Sequence, residues 1–493
     1  MTKTLSVLLA LVCTFAIAVE PTKSLPRSSP EAQGVSSTAV LEFVQTADRE
    51  LSSMHSFMLV RHGNVVAEGW WSPYNAETRH ELYSLSKSFT STAIGLAIAE
   101  GKLTLDDEIS KFFPGEMPAD ASAQLKAMRV RDLLSMSTGQ TSEAKFGTTD
   151  PWTKTFLAHT VTHKPGTFFM YNTPATYMCS AIVQKQTSTT VLDYLKPRLF
   201  DPLGIQDPTW GTSPQGISLG GYGLNLRTED IAKFGQLYLQ RGKWNDKQLV
   251  PAEWIDRATS RQVSNGSNPK SDWEQGYGYQ FWRCRNGSYR GDGAFGQYCV
   301  VMPEKDAVLA ITSGLKDMQL VLNLVWDKLL PGFENQPLAP DNEAAHQLQE
   351  SLKQLSLPYA EGSASSGLAT SIDKQRYEFA ENEQKIRQIS LEKNSDGGFD
   401  LIIAAEGSEQ RIACGHKAWT RGTAQLGGSP KQELAASGAW TSESEYTAKL
   451  CLYSTPFCLT MRLQFKGDEV LLDTEANVGF GSTKRPQLVG RVK

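Results

Sequence analysis

The amino-acid sequence predicts an α+β protein, because strand-like and helix-like segments occupy separate blocks of the chain. Two β-rich runs lie within residues 56–71. From Ser84 onward apolar residues recur at helical spacing, and residues 105–260 keep a mostly helical pattern. Strand-like segments then return, at residues 276–282, 296–302 and 307–312. A helix-like run over 318–329 ends this part of the chain.

A change of composition divides the chain after this helix. Pro, Ala, Gly and Ser become frequent over residues 336–370, which is typical of a linker, although residues 342–355 keep a helical pattern. Residues 371–493 are rich in strand-like segments to their end. We therefore predict a mixed α+β domain over 19–335, a linker, and a C-terminal β-rich domain.

The composition is typical of an ordinary globular protein. Of the 493 residues, 40% are hydrophobic and 21% are charged, and the formal net charge is -4. The charges are spread along the chain without long runs of one sign. A nucleic-acid partner would require a clustered basic surface, so the sequence predicts none.

The N-terminus resembles a secretory signal peptide. After Lys3, the segment Leu5–Ala18 is almost wholly apolar, and at about 14 residues it is too short to cross a bilayer as a helix. Cleavage after Ala18 would export a chain that starts at Val19, to the periplasm or the medium. A lipoprotein site at Cys13 is the alternative, although the preceding residue is a valine. No later segment is long and apolar enough to hold the mature chain in a membrane.

Six cysteines remain once Cys13 is removed, and in an exported protein an even number permits disulfides. Cys451 and Cys458 flank a plausible hairpin loop, and Cys284 and Cys299 could face each other on adjacent strands. The alternative is that some cysteines are buried thiols, for example Cys179 within an apolar helical pattern.

Ser84 and Lys87 form a Ser-x-x-Lys motif where the strand pair gives way to the apolar helix. Three residues apart on a helix, their side chains share one face and can touch. A serine hydroxyl is a weak nucleophile until an adjacent base accepts its proton. Lysine can be that base if burial lowers its pKa from about 10.4 toward neutrality. The pair therefore predicts a serine nucleophile with a lysine as its proton acceptor.

The motif alone is not specific, because it occurs six times, beginning at Ser84, Ser142, Ser267, Ser313, Ser371 and Ser390. Only Ser84 stands at a junction between strands and a long apolar helix, where a nucleophile is both rigid and accessible. The alternative for Ser84 is a helix cap followed by a surface lysine.

Further motifs follow Ser84 and Lys87 in a fixed order, namely Gly101–Asp107, Val130–Gly139, Pro165–Thr173 and Gly291-Asp292-Gly293. In this order they resemble the motifs of the serine β-lactamase and penicillin-binding-protein superfamily. The resemblance is specifically to the class C-like branch of esterases, D-aminopeptidases and 6-aminohexanoate-dimer hydrolases. The resemblance covers roughly residues 30–330.

The resemblance implies an antiparallel sheet flanked by helices, with a helical subdomain, and a C-terminal β-barrel-like domain. Tyr171 matches the tyrosine that shares protons with the serine and the lysine; its alternative is an aromatic core residue. The backbone N–H groups of Ser84 and Ala294 would form the oxyanion hole.

Two departures from the family pattern affect the substrate-binding residues. Thr173 stands where asparagine is usual, and a threonine reaches less far. Gly291-Asp292-Gly293 matches the third motif but has no cation at its first position; the alternative for this segment is a flexible hairpin loop. In β-lactamases that cation helps to hold a substrate carboxylate. Its absence puts β-lactam turnover in doubt and favours neutral amide or ester substrates.

By resemblance, Ser84 attacks a carbonyl, Lys87 and Tyr171 carry its proton to the leaving group, and water releases the acyl group. The substrate would be a small-molecule or peptide-like amide or ester, and no cofactor is needed. The alternative is a penicillin-sensing or binding protein that keeps the fold without turnover.

Other residue pairs are weaker candidates. His159 and His163 lie four residues apart, but no third ligand accompanies them, so no metal site is predicted. His62 and His80 flank the nucleophile region and are expected to be structural or surface residues. The prominent tryptophans are expected to line the core or an apolar acyl pocket, namely Trp70, Trp71, Trp210 and Trp282.

Overall fold

The computed structural model describes residues 24–493 apart from Asp396, Glu406 and residues 427–430. The predicted signal peptide, residues 1–18, lies outside the described residues. Within the described chain, every helix falls short of the length and apolarity that crossing a membrane demands.

The helices belong mainly to the N-terminal two thirds of the chain, and several begin at a side-chain cap, as α1 does at Ser36. The α-helices are α1 (Ser37–Glu50), α2 (Ser86–Ala99), α3 (Ala123–Ala127), α4 (Val130–Leu134), α5 (Trp152–Leu157), α6 (Thr173–Thr187), α7 (Val191–Leu195), α8 (Asp201–Leu203), α9 (Thr228–Leu239), α10 (Ala252–Thr259), α11 (Met318–Leu324) and α12 (Asn342–Lys353). Short 3-10 helices are Glu31–Gln33, Tyr83–Leu85, Ile109–Lys111, Pro303–Lys305, Leu330–Gly332 and Gly367–Thr370, and π-helical turns are Lys196–Phe200 and Val325–Leu329.

The first eleven strands build a six-stranded sheet and two small ones. They are β1 (Met54–Arg61), β2 (Asn64–Trp70), β3 (His80–Glu81), β4 (Thr209–Trp210), β5 (Leu224–Leu226), β6 (Lys243–Trp244), β7 (Lys247–Gln248), β8 (Trp282–Arg283), β9 (Tyr289–Gly293), β10 (Gln297–Met302) and β11 (Ala307–Ser313). The six-stranded sheet has the order β2-β1-β11-β10-β9-β8, and each neighbouring pair is antiparallel. The predicted strand pair at 56–71 is confirmed as β1 and β2.

The six-stranded sheet separates two layers of helices. Alternate residues of β1 face opposite layers, since Met58 and Val60 pack in the core that contains α2, α6 and α9. Phe57 and Leu59 pack in the core that contains α1 and α12. An antiparallel sheet flanked by helices is therefore confirmed, and the segment of Ser84 lies in the first of these layers.

The C-terminal strands form one ten-stranded antiparallel sheet. They are β12 (Tyr377–Phe379), β13 (Ile386–Lys393), β14 (Phe399–Ala405), β15 (Ser408–Cys414), β16 (Thr420–Ala424), β17 (Gln432–Trp440), β18 (Glu445–Cys451), β19 (Cys458–Lys466), β20 (Glu469–Ala476) and β21 (Leu488–Val492). The order β15-β14-β13-β12-β21-β20-β19-β18-β17-β16 brings the edge strands β15 and β16 close together. The sheet is thus a nearly closed barrel, and its own hydrophobic core fills it.

The segment between the two sheets is packed against the first domain. Helix α12 confirms the helical pattern at 342–355. Leu348, Leu355 and Leu357 are buried in the core that also contains α1.

The strand predicted over residues 276–282 is wrong for most of its length. Only Trp282 belongs to a strand, β8, whereas Tyr277 makes isolated bridges. Gln280 has a φ of 67°, which an extended strand cannot contain. The aromatic residues that alternate in this segment, Tyr277, Tyr279 and Phe281, are buried. Their alternation therefore reflects burial and not strand pairing.

The cysteines of the described residues carry free thiols. Cys451 and Cys458 lie opposite each other across β18 and β19, at the two ends of the predicted hairpin loop, but both are free thiols and the predicted disulfide between them is absent. Cys299 lies opposite Gly291 and in a different core from Cys284, so the second predicted pairing does not form. Cys179 is a buried thiol in α6.

Gly235 allows α9 to lie directly on the six-stranded sheet. A Cβ atom at this position would lie 2.4 Å from Val308 Cγ1 and 2.8 Å from Cys299 Sγ. We predict that Gly235→Ala lowers the free energy of unfolding by roughly 1–3 kcal/mol, because the helix must move off the sheet. Thermal unfolding measures the effect as a fall in Tm.

The matched control is Gly422→Ala, since a Cβ atom on this strand residue meets open space. An equal fall in Tm for both variants, or no fall for Gly235→Ala, would contradict the packing account.

Candidate active site

Ser84 lies in the 3-10 turn Tyr83–Leu85, directly before α2, and Lys87 lies in the first turn of that helix. Their side chains meet, with 3.0 Å between Lys87 Nζ and Ser84 Oγ. Lys87 is only 1% exposed, so the alternative of a surface lysine is wrong. The sequence prediction that the two side chains touch is confirmed.

The other Ser-x-x-Lys motifs lack this setting. Ser313 is the last residue of β11, so Lys316 lies beyond that strand, and Ser390 lies within β13, where residues three apart point to opposite faces. Ser142 is exposed and bonds to His159, with 3.0 Å between Oγ and Nε2. Of these three serines and Ser84, only Ser84 stands directly before a long, apolar helix, α2.

The Lys87 amine has three polar neighbours in a buried site. Besides Ser84 Oγ, Nζ lies 2.9 Å from the carbonyl oxygen of Gly221 and 3.3 Å from Thr173 Oγ1. A neutral amine has two N–H groups and one lone pair. It can donate to Gly221 and Thr173 and accept a hydrogen bond from the Ser84 hydroxyl. These neighbours can satisfy a neutral lysine, and an ammonium group could equally donate to all three.

Burial lowers the pKa of Lys87 from 10.5 to about 7. The negative charges of Glu143 and Asp292 act in the opposite direction and keep the pKa from falling further. Near neutral pH a large share of Lys87 is therefore unprotonated and can accept a proton.

Tyr171 reaches the same site from the start of α6. The Asn172 side chain caps this helix by accepting a hydrogen bond from the N–H of Ala175, at 3.2 Å, and so fixes where the preceding tyrosine stands. The Tyr171 side chain interacts with that of Ser84, and its ring centroid lies 4.9 Å from Lys87 Nζ. Burial raises the pKa of Tyr171 well above its usual range, so the residue stays a phenol that can donate a proton.

Aromatic packing holds the Tyr171 ring in place. It stacks on Trp282 with 5.3 Å between centroids and meets Tyr277 edge-on at 6.3 Å. Trp282 therefore lies beside the site, as predicted for a pocket wall. Trp71 and Trp210 lie in the two helical cores instead.

Gly291, Asp292 and Gly293 lie on strand β9 and are buried, so the alternative of a flexible loop is wrong. A Cβ atom at Gly293 would lie 2.0 Å from the Leu82 carbonyl oxygen and 3.1 Å from Ser84 N. At Gly291 it would lie 2.5 Å from Ser88 Oγ. The glycines let the strand backbone approach the turn that carries Ser84, which brings Ala294 close to it.

Asp292 is engaged by Arg290, a residue that the sequence analysis missed. Arg290 Nε donates a hydrogen bond to Asp292 Oδ2 at 3.0 Å, and Arg290 Nη2 forms an ion pair with the same oxygen at 2.8 Å; both side chains are buried. Burial raises the pKa of Asp292, while Arg290 opposes this shift. Arg290 also stacks over Trp273, 4.4 Å from the ring centroid to Cζ. The positive charge of Arg290 is thus paired with Asp292 inside the protein.

The sequence analysis also missed the loop of Gly220 and Gly221. Its carbonyl groups accept hydrogen bonds from Thr90 Oγ1 and Lys87 Nζ, at 2.8 and 2.9 Å. A Cβ atom at Gly221 would lie 2.7 Å from Thr173 Cγ2 and 3.4 Å from Lys87 Nζ. The Gly-Gly pair was the available signal for a close approach of backbone.

The remaining candidates lie apart from this constellation. His163 stacks on Phe168, with 4.3 Å between centroids. His62 is exposed, and His80 is buried against His55, with 3.1 Å between His80 Nε2 and His55 Nδ1. Within the residues that the structure describes, no three His, Cys, Asp or Glu side chains group as a metal site would require.

The geometry combines a serine hydroxyl, a buried amine that is partly neutral at pH 7, and a phenol. A serine in contact with a neutral amine can be activated for attack on a carbonyl group. The backbone of β9 lies against the turn that carries Ser84. The site is therefore suited to acyl transfer.

Comparison with known proteins agrees with this geometry. The family model described as Beta-lactamase matches residues 48–320. The 6-aminohexanoate-dimer hydrolase of Paenarthrobacter ureafaciens is 24% identical over an alignment of 286 residues, and the match covers 53% of this chain and 73% of that protein.

Two solved structures align with nearly the whole chain at low sequence identity. The alignment with the structure of SurE covers 94% of this chain and 99% of the SurE chain, with 14% identity and a TM-score of 0.50. An octameric penicillin-binding protein homologue from Pyrococcus abyssi covers 92% of this chain and 98% of its own, with 17% identity and a TM-score of 0.48. At 14% identity the likeness to SurE concerns the fold alone.

The matched segment spans more than half of the chain and includes Ser84, Lys87, Tyr171 and strand β9. The protein therefore belongs to the beta-lactamase family, within the serine β-lactamase and penicillin-binding-protein superfamily, whose members include serine hydrolases.

Proposed function

We propose that this protein is a serine hydrolase that cleaves a neutral amide or ester through an acyl-enzyme on Ser84. The observation that carries the proposal is the 3.0 Å contact between Ser84 Oγ and the buried Lys87 Nζ. A lysine with a pKa of about 7 is matched to proton transfer near neutral pH.

The reaction proceeds in two half-reactions. Ser84 Oγ attacks the carbonyl carbon while its proton passes to Lys87 Nζ, and the backbone N–H groups of Ser84 and Ala294 bind the oxyanion. The tetrahedral intermediate collapses, and the leaving amine or alcohol takes a proton from Lys87 or through the Tyr171 hydroxyl. Water then attacks the acyl-enzyme with the same groups assisting, which releases the acid and restores Ser84.

The charges around the site favour a neutral substrate. Gly291 occupies the position where the family resemblance places a cation, and the neighbouring Arg290 is paired with Asp292. Asp292 and Glu143 both interact electrostatically with Lys87. Because Asp292 is paired with Arg290, Glu143 is the group that would repel a substrate carboxylate, whereas an uncharged ester or amide would not be repelled. Thr173 and strand β9 would contact the substrate on either side of Ser84.

Turnover of a short-chain ester tests the proposal against the alternative of a binding protein. We predict many turnovers per protein molecule, and a loss of about a thousandfold or more in Ser84→Ala. The matched control is Ser142→Ala, an exposed serine of another Ser-x-x-Lys motif, which should keep full activity. At most one equivalent of product per protein would favour a penicillin-sensing or binding protein.

The pH dependence of turnover tests the role of Lys87. Only the neutral amine accepts the serine proton, so kcat/KM should rise with pH through about 7 and level off above it. Glu143→Gln removes a charge that raises the pKa of Lys87, and it should therefore move the midpoint to lower pH. The glutamine can still accept the Thr173 N–H that Glu143 accepts at 2.6 Å. A flat profile, or a midpoint that Glu143→Gln moves upward, would contradict this role.

We further propose that the chain is exported to the periplasm or the medium, on the strength of the apolar segment Leu5–Ala18. Intact mass of the protein recovered from the exported fraction should correspond to a chain that begins at Val19. A mass that includes residues 1–18, or retention in the cytoplasm, would refute export by this route.

A further inference from the structure

Two loops of the C-terminal sheet reach the segment that carries Ser84. The loop between β18 and β19 supplies the Ser454 carbonyl oxygen, which accepts the N–H of Glu81 at 2.9 Å. The loop after β20 begins with Asn477, whose Nδ2 donates to the Gly314 carbonyl oxygen at 3.2 Å and to the Pro456 carbonyl oxygen at 2.9 Å. The C-terminal sheet is thus anchored three residues before the proposed nucleophile.

Each of these loops places a phenylalanine against the site. Phe480 lies 4.8 Å from the ring of Phe295 and 5.7 Å from that of Tyr83, between centroids. Phe457 meets the same two rings edge-on, at 5.8 and 6.5 Å. Tyr83 directly precedes Ser84, and Phe295 directly follows Ala294. We name these four rings, Tyr83, Phe295, Phe457 and Phe480, the aromatic wall.

The rings nearest the reaction centre are held in an unusual backbone conformation. Tyr83 has a φ of 46° and Phe295 a φ of 68°, in the left-handed region that large side chains seldom adopt. The Phe295 carbonyl oxygen accepts hydrogen bonds from Leu315 N and Ser313 Oγ, both at 2.9 Å. Such conformations persist where the surroundings fix them, and they concentrate at functional sites.

Phe480 is much more exposed than a phenylalanine on a folded protein usually is. It is 77% exposed, whereas Phe295 is 9% exposed. Gly479 and Gly481 flank it, so the short loop can present the ring without side chains on either side. An exposed ring that continues an apolar surface gains free energy when a ligand covers it.

We propose that the aromatic wall is a specificity subsite, in which Phe480 covers the apolar group attached next to the scissile carbonyl of the substrate. This inference rests on the proposed function and extends that function by naming the substrate class. That class is an ester or amide with an aromatic or medium-length alkyl group on its acyl or leaving side. The aromatic wall lies directly beside Ser84 and Ala294, because Tyr83 precedes Ser84 and Phe295 follows Ala294. A ligand that covers the wall is therefore the substrate.

The experiment compares the full-length protein with Phe480→Ala on two ester series. One series holds p-nitrophenol and changes the acyl group from acetate to octanoate, and the other holds acetate and changes the alcohol from ethanol to benzyl alcohol. The wild-type protein should prefer the larger ester in at least one series. Phe480→Ala should reduce that preference, as a ratio of kcat/KM values, by about tenfold.

Two further variants separate apolar contact from a general disturbance. Phe480→Leu keeps much of the apolar area and should restore most of the preference. Val489→Ala shortens another exposed apolar residue of the same sheet, at 48% exposure, and should leave the ratio unchanged. A wild-type ratio in Phe480→Ala, in both series, would overturn the inference.

Other outcomes are also decisive. If Phe480→Ala keeps the wild-type ratio but elutes as a smaller species in size-exclusion chromatography, then Phe480 serves an interface between copies of the chain and the subsite is refuted. If the wild-type protein turns over none of the esters, then the proposed function itself fails, and the subsite fails with it.

Discussion

The burial of one lysine amine is the constraint on which the site depends. In the folded protein the Lys87 amine contacts a serine hydroxyl, a threonine hydroxyl and the carbonyl group of Gly221 instead of water. This exchange disfavours the ammonium form and brings the pKa to about 7. The helix α2 carries the lysine, the sheet and α6 close the space around it, and the Gly220-Gly221 loop supplies its acceptor.

Close approaches of backbone make this burial possible. Gly291 and Gly293 let strand β9 lie against the turn of Ser84, and Gly221 lets its loop lie against Lys87 and Thr173. A side chain at any of the three would push two elements apart and admit water to the amine. Loops of the C-terminal sheet also bond to this part of the chain, at Glu81 and Gly314.

Local features of this site could be predicted from the sequence, and long-range ones could not. The contact of Ser84 with Lys87 follows from helical spacing, and the ordered motifs indicate Tyr171. The Gly221 acceptor lies 134 residues from Lys87, and no periodicity connects them. The strand predicted over 276–282 failed because alternating aromatic residues indicate burial but not backbone conformation, and Gln280 turns the chain there. Both β-rich regions could be predicted from the sequence. The contact between loops of the C-terminal sheet and the segment that carries Ser84 could not.

The central claim is that the buried lysine makes Ser84, and no other serine, the nucleophile. Peptide mapping after reaction with a fluorophosphonate probe tests this most directly. The account predicts one phosphonyl adduct per chain, located on Ser84, and its near absence in Lys87→Ala. An adduct on another serine, or equal labelling in Lys87→Ala, would contradict the account.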